Sequence, residues 1–363
     1  MTYSRKMKSK IFFVKNVIFG PLVAIILGLI VGALVIVLAG ENPVFVYKEM
    51  FSKSFFTLYY LMQTLTRSTP VIVCSLATIV AWRAGYINLG IEGQMICGSL
   101  VATLTAIYLP GPPFLVLVFS IVFGMTAGAA MAIFAAFIND RFNVSIVIST
   151  LMMNYIATFI TSYFVTFPFR DDANELAIQS KEIGVELQLQ KISQVSTFNI
   201  GFFIVIFLVL SVVYIINKTN FGYESKMTGL NPVFAQYGGV KHRKVMYSTM
   251  ALSGAMASIA GVLEIFGVKY RFIDGMFTTT SYAWTGLMSS LISALNPIGA
   301  FFTSIFLSGL QVGGQAIQRT TGIPLQVSTL IQATITLFVS VKIFEQYQQF
   351  KKKSDDAEKA GEL

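Results

Sequence analysis

The chain has 363 residues, of which 55% are hydrophobic and only 12% charged, about half the charge of an ordinary soluble domain. That composition excludes a soluble globular enzyme. The formal net charge of +9 invites a nucleic-acid reading, but in so apolar a chain positive charge marks orientation across a membrane.

A basic stretch, "SRKMKSK", precedes the first long apolar run at 17–39. The run exceeds the roughly 7–15 residues of a signal-peptide core, and "AGEN" after it is a poor cleavage site, so it reads as an uncleaved span. Apolar runs long enough to cross the hydrocarbon follow, and about ten spans are expected. They lie near 16–39, 61–82, 90–109, 113–137, 144–167, 198–216, 246–268, 281–295, 298–317 and 324–343, the eighth being short. The expected fold is an all-α polytopic membrane protein. Residues 1–15 form a basic tail, 16–343 the membrane domain, and 344–363, with "KKKSDDAEKAGEL", a charged, disordered tail.

With both termini placed in the cytoplasm, 17 of the 26 Lys and Arg fall on inner segments and 9 on the outer side, as the positive-inside rule requires. Residues 168–197 then lie outside, where "GVELQLQ" alternates like a strand, and residues 217–245 lie inside. Spans 2–5 and 7–10 admit an inverted repeat. "INLGIEGQMICGSLVA" and "LNPIGAFFTSIFLSGL" each set a helix breaker before an apolar helix, and such paired interruptions point to a transport site. The single His242 rules out a His-built metal site. Cys74 and Cys97 lie in apolar runs as small hydrophobes and say nothing about redox compartment.

Residues 83–98, "RAGYINLGIEGQMICG", join spans 2 and 3. Asn88, Glu92 and Gln94 are costly in hydrocarbon, a central carboxylate by roughly 2.5–3.5 kcal/mol. Gly85, Gly90 and Gly93 permit an unwound segment, which is tolerated only inside protein or beside water. The cluster therefore faces the bundle interior, either bracing a re-entrant bend or lining a translocation path. Arg83 and Glu92 stand about 13 Å apart along an unbroken helix, so they pair only if the backbone turns between them.

The inner loop 223–245 reads "YESKMTGLNPVFAQYGGVKHRKV". Asn231-Pro232 signals a helix start, "VFAQY" supplies one or two turns, and Gly238-Gly239 end them. The result is either an interfacial helix resting on lipid or a knob that a cytoplasmic partner grips.

"TGLNPVFAQYGGV" and the bend motif Asn88, Leu89, Gly90, Glu92, Gly93, Gln94 resemble bacterial ABC-importer permeases of the branched-chain amino acid, simple sugar and nucleoside type. "NPIGA" at 296–300 and "TGIPLQVSTLIQATITLFV" at 321–339 add to the resemblance, which runs from about 60 to 343. It implies that Gly229, Asn231, Pro232, Ala235 and Gly239 form a coupling element contacting an ABC ATPase. By the same token Asn88, Gly90, Glu92, Gly93, Gln94 and Asn296 belong to the path or bend. Phe234 and Val240 depart from the family's Ala and Ile but stay apolar. "MFTTTSYAWTGLMSSL" at 276–291 departs from the run of nucleoside and sugar members, which leaves the cargo open.

The chain has no G-x-x-x-x-G-K-[ST] loop. No cofactor is expected on it; ATP and Mg belong to a separate ATPase. The further expected partners are a second, homologous permease, an extracytoplasmic substrate-binding protein and membrane lipid, with no nucleic acid, in a bacterial cytoplasmic membrane. Arg67, Arg83, Glu92, Glu264, Lys269 and Arg271 form no single-sign cluster, so a small, polar, neutral cargo is expected: a nucleoside, a simple sugar or a riboflavin-like nutrient. The rival reading is an ion-coupled secondary transporter using Glu92 or Glu264. A membrane enzyme ranks last, for want of a nucleophile–base pair or paired acids.

Overall fold

A computed structural model of the chain describes residues 25–38, 40–173, 177–321 and 324–338, with the side chains of 320 and 321 left aside. The described secondary structure is helical, with two isolated β-bridges and no strand. Among the described residues, seven helices are long and apolar enough to cross a membrane. The described residues divide into two compact units, Leu58–Ser290 with Leu295–Ser308, and those falling within Met1–Thr57, Leu291–Ala294 and Gly309–Leu363.

The described part of the second-named unit starts with α1 (Ile25–Leu38). Asn42 then caps α2 (Pro43–Phe51), accepting from the Val44 N–H at 2.9 Å, and α2 runs into a π-helical turn at Ser52–Phe56. Tyr47 donates to the Leu29 carbonyl at 2.6 Å, tying α2 to α1.

The larger unit holds α3 (Leu58–Arg83), α4 (Ile91–Tyr108), α5 (Pro113–Phe142), α6 (Ile146–Thr166), α7 (Gly201–Lys218), α8 (Asn220–Leu230) and α9 (Pro232–Tyr237). It continues with α10 (His242–Glu264), extended as a π-helix to Lys269, then α11 (Met276–Thr280), most of α12 (Tyr282–Ile292) and the first half of α13 (Pro297–Thr321). α3 is the central helix: 89% of its apolar window is buried, against 22% for α5. The difference sets the roles of the apolar residues. α3 turns Val71, Ile72 and Leu76 into protein, whereas α5, α6 and α7 leave Phe119, Phe123, Phe159, Tyr163, Phe207 and Tyr214 outward. So broad an apolar surface is stable only against lipid or another apolar partner.

Small residues let α4, α5 and α10 meet at backbone distance. "GMTAG" sets Gly124 and Gly128 one turn apart on α5, and "GAMAS" sets Gly254 and Ser258 likewise on α10. A β-carbon on Gly128 would fall on Ser258 Oγ and 2.6 Å from the Gly254 carbonyl. In hydrocarbon there is no hydrophobic drive between helices, so such close van der Waals packing carries the association.

Several expectations change. The eighth span is α12, with 11 residues, about half of what a crossing requires. The expected strand at "GVELQLQ" is a 3-10 turn, Val185–Leu187. Its alternation is not used: Val185 is exposed while Leu187 and the preceding Ile183 are buried, and the backbone on either side pairs with the end of α10. Ile183 N–H donates to the Tyr270 carbonyl at 2.8 Å and Leu189 N–H to the Phe266 carbonyl at 2.8 Å. The short α2 and its π-turn, too brief for a hydropathy window, were not anticipated. The first and tenth spans are described over Ile25–Leu38 and 326–338 (α14), and their remaining residues, with both tails, lie outside the described residues.

Candidate functional site

The helix breaks after Arg83. Gly85 takes a left-handed conformation (φ +89°), and helix resumes at Ile91. The seven residues between owe their shape to a buried polar clasp. Asn88 and Gln94 are 0% and 1% exposed, and their side-chain amides face each other head to tail. Asn88 Nδ2 donates to Gln94 Oε1 at 3.0 Å, and Gln94 Nε2 donates back to Asn88 Oδ1 at 3.1 Å. Asn88 also donates to Ser253 Oγ at 2.9 Å and accepts from the Gly90 N–H at 2.9 Å. Ser253 in turn donates its hydroxyl hydrogen bond to the Ala77 carbonyl at 2.8 Å.

α6 closes the clasp from the other side. Asn154 accepts from the Gly93 N–H at 2.8 Å and donates to the Leu89 carbonyl at 2.9 Å, and Thr150 accepts from the Leu89 N–H at 3.2 Å. A β-carbon at residue 93 would lie 2.8 Å from Asn154 Cα, so only glycine allows this approach. The Leu89 N–H and carbonyl and the Gly90 and Gly93 N–H groups, freed by the break, thus find side-chain partners, which is what unwound chain within a membrane bundle needs. Ser253, Thr150 and Asn154 went unrecognised in the sequence; polar residues inside apolar runs were the available signal.

Glu92 turns away from the clasp. It and Arg83 form no ion pair, although the backbone does turn; instead Trp284 Nε1 of α12 donates to Glu92 Oε2 at 2.8 Å. Glu264 is buried and accepts from Tyr282 Oη at 3.1 Å. Arg67 lies over the Tyr282 ring, 5.2 Å from its centroid, and donates to the Thr280 carbonyl at 3.0 Å. Asn296, the remaining bend candidate, caps α13 by accepting from the Ile298 N–H at 3.0 Å and makes no hydrogen bond to the clasp. Both interruptions are built alike, an Asn side chain accepting from the N–H two residues on.

The second group of candidates forms a capped two-helix knob. Thr219 caps α8 at the Gly222 N–H (3.2 Å). Asn231 ends α8 and caps α9, accepting from the Phe234 N–H at 3.0 Å, with Pro232 in the first position. Ala235 is buried and its carbonyl accepts from Val240 N–H at 3.0 Å, while Gly239 supplies a left-handed turn (φ +84°). Leu230, Val233, Phe234 and Tyr237 stay outward, Tyr237 at 88% exposure. The base of the knob touches the bend. A β-carbon on Gly229 would land on the Arg83 carbonyl oxygen, and Tyr86 stacks on His242 (centroids 5.6 Å apart), its hydroxyl sharing a hydrogen bond with His242 Nδ1.

A family model described as "branched-chain amino acid transport system / permease component" matches residues 60–340. The guanosine ABC transporter permease protein NupP of Bacillus subtilis is 30% identical over 322 residues, covering 88% of this chain and 92% of that protein. The nucleoside ABC transporter permease protein NupB of Lactococcus lactis is 28% identical, covering 94% and 95%. The glucose ABC transporter permease protein TsgB13 of Haloferax volcanii is 25% identical, covering 93% and 92%.

Proposed function

The chain belongs to the branched-chain amino acid transport system / permease component family, and from that premise we propose that it is a permease subunit of an ATP-binding-cassette importer for nucleosides. In this reading it is the wall of the pore, and a separate ATPase binds ATP and Mg. A second, homologous permease completes the passage, and an extracytoplasmic binding protein delivers the cargo. The knob faces the cytoplasm, as do both termini.

The observation that carries the reading is the outward apolar face of α8–α9, standing on a backbone contact with the end of α3. Four large apolar side chains on a tightly capped knob are poorly suited to water and well suited to a partner's groove. With no side chain on Gly229 to absorb motion, a push on the knob passes to the Arg83 carbonyl and into the bend. The packed clasp moves as a unit, so a small displacement switches the pore between states rather than bending it gradually. Nucleoside cargo is supported by the names of the two bacterial relatives. A simple sugar is the second reading, favoured by the haloarchaeal relative.

The test is twofold. Asn231→Ala with Pro232→Ala removes both helix-start devices, and the ATPase that copurifies with the wild-type permease is expected to be lost. Unchanged copurification would remove the docking role. Uptake of labelled nucleoside against labelled glucose by the intact complex decides the cargo, and glucose uptake alone would overturn the nucleoside assignment.

A further inference from the structure

Glu92 and Trp284 have a use that neither the clasp nor the knob accounts for. α3, α4 and α12 meet around them: Glu92 is in the first turn of α4, Trp284 in the first turn of α12, and a β-carbon on Gly286 of α12 would lie 2.6 Å from Cys74 Cβ of α3. Trp284 is 38% exposed and Glu92 is only partly buried. A carboxylate hydrogen-bonded to an indole N–H is costly against lipid tails, so the exposed side of this pair faces water or protein.

The donor and acceptor inventory narrows what it can hold. The indole has one N–H and spends it on Glu92 Oε2. Among the described residues no group donates to Oε1, which keeps an oxygen with two lone pairs beside the N–H edge of an aromatic ring. The N–H of Trp284 also fixes the carboxylate's orientation, so the free edge points in one direction. A flat ring of its own that carries N–H donors on its edge fits this pair: the ring stacks on the indole and the edge donates to the carboxylate.

We propose that Glu92 and Trp284 form a cargo-reading pair in the translocation path, selecting purine nucleosides whose base carries a ring N–H beside its exocyclic group. This deepens the nucleoside reading above and rests on it. Guanine presents two adjacent donors, N1–H and the 2-amino group, to a carboxylate. Adenine presents a bare ring nitrogen there, which a carboxylate repels. Selection by the pore acts in addition to whatever the binding protein selects, because cargo must pass this point to cross.

The experiment is competition uptake by the intact importer in vesicles, with guanosine and adenosine labelled differently and measured on one preparation. Their ratio does not depend on how much protein folded. Glu92→Gln keeps the volume and turns part of the acceptor edge into a donor. The guanosine-to-adenosine ratio is expected to fall by about tenfold, equivalent to about 1.4 kcal/mol. Trp284→Phe keeps a stacking ring but frees the carboxylate. It is expected to raise the KM for both nucleosides and lower the ratio by a smaller factor. If both variants slow the two nucleosides equally and leave the ratio unchanged, the pair is only a strut between α4 and α12 and the assignment falls alone. If the wild-type importer moves neither nucleoside, the cargo reading and this assignment fall together.

Discussion

Replacing Asn88 by Leu tests whether the clasp holds the bend. The change keeps the volume nearly constant and removes four hydrogen bonds, at 2.9–3.1 Å, from a side chain with no exposure. Ser253 is not orphaned, because its hydroxyl still donates to the Ala77 carbonyl. The Gly90 N–H and both ends of the Gln94 amide are. At roughly 0.6–1.7 kcal/mol for each of the four interactions inside a membrane protein, the expected loss is about 2–7 kcal/mol. Gln94→Leu leaves the Gly90 bond intact and costs less. In the double variant two facing amides become two facing apolar groups, a replacement that is nearly neutral, so the losses are expected to fall short of their sum by about 1–2 kcal/mol. Unfolding in mixed micelles with SDS, followed by the fluorescence of Trp82 and Trp284, reads all three variants. Trp82 is a fitting probe, since its indole N–H donates to the Asn88 carbonyl at 3.4 Å. Strictly additive losses, or an Asn88→Leu chain as stable as the wild type, would refute the head-to-tail pairing.

Three further outcomes follow from the geometry. Gly128→Val places carbon on Ser258 Oγ and against the Gly254 carbonyl, and is expected to cost about 1–3 kcal/mol or more and to reduce folded protein on size-exclusion chromatography. Gly229→Val pushes α8 off the Arg83 carbonyl; nucleotide hydrolysis by the assembled complex should persist while nucleoside uptake falls, and a variant with wild-type uptake would disconnect the knob from the bend. Phe234→Glu sets a charge on the outward face of the knob, and weakening of the ATPase by about thirtyfold or more, as for a central interface residue, is expected in a binding titration.

The parts legible in the sequence were those whose physics is local. Long apolar runs gave the spans, because length and hydropathy are properties of a segment alone. The knob was legible too, since a cap such as Asn231 bonds an N–H three residues away in the same chain. The clasp was half legible: burying Asn88 and Gln94 follows from their cost in hydrocarbon, but Ser253, which bonds Asn88, and Asn154, which bonds the Gly93 N–H, lie 165 and 61 residues away. The same distance hid Trp284, 192 residues from Glu92, and left Arg83 as the apparent partner. The α5 glycine pair was in plain view as "GMTAG", yet its meaning depends on which helix approaches it. α12 shows the opposite failure, an apolar run that hydropathy extends and the structure stops at 11 residues.

The most direct measurement is nucleoside accumulation in vesicles holding the permease pair and binding protein, with and without the ATPase, in the presence of an ionophore. The account predicts uptake against a gradient only when the ATPase and ATP are present, with no effect of collapsing the ion gradients. Accumulation without the ATPase, or its abolition by the ionophore while ATP is held constant, would contradict it.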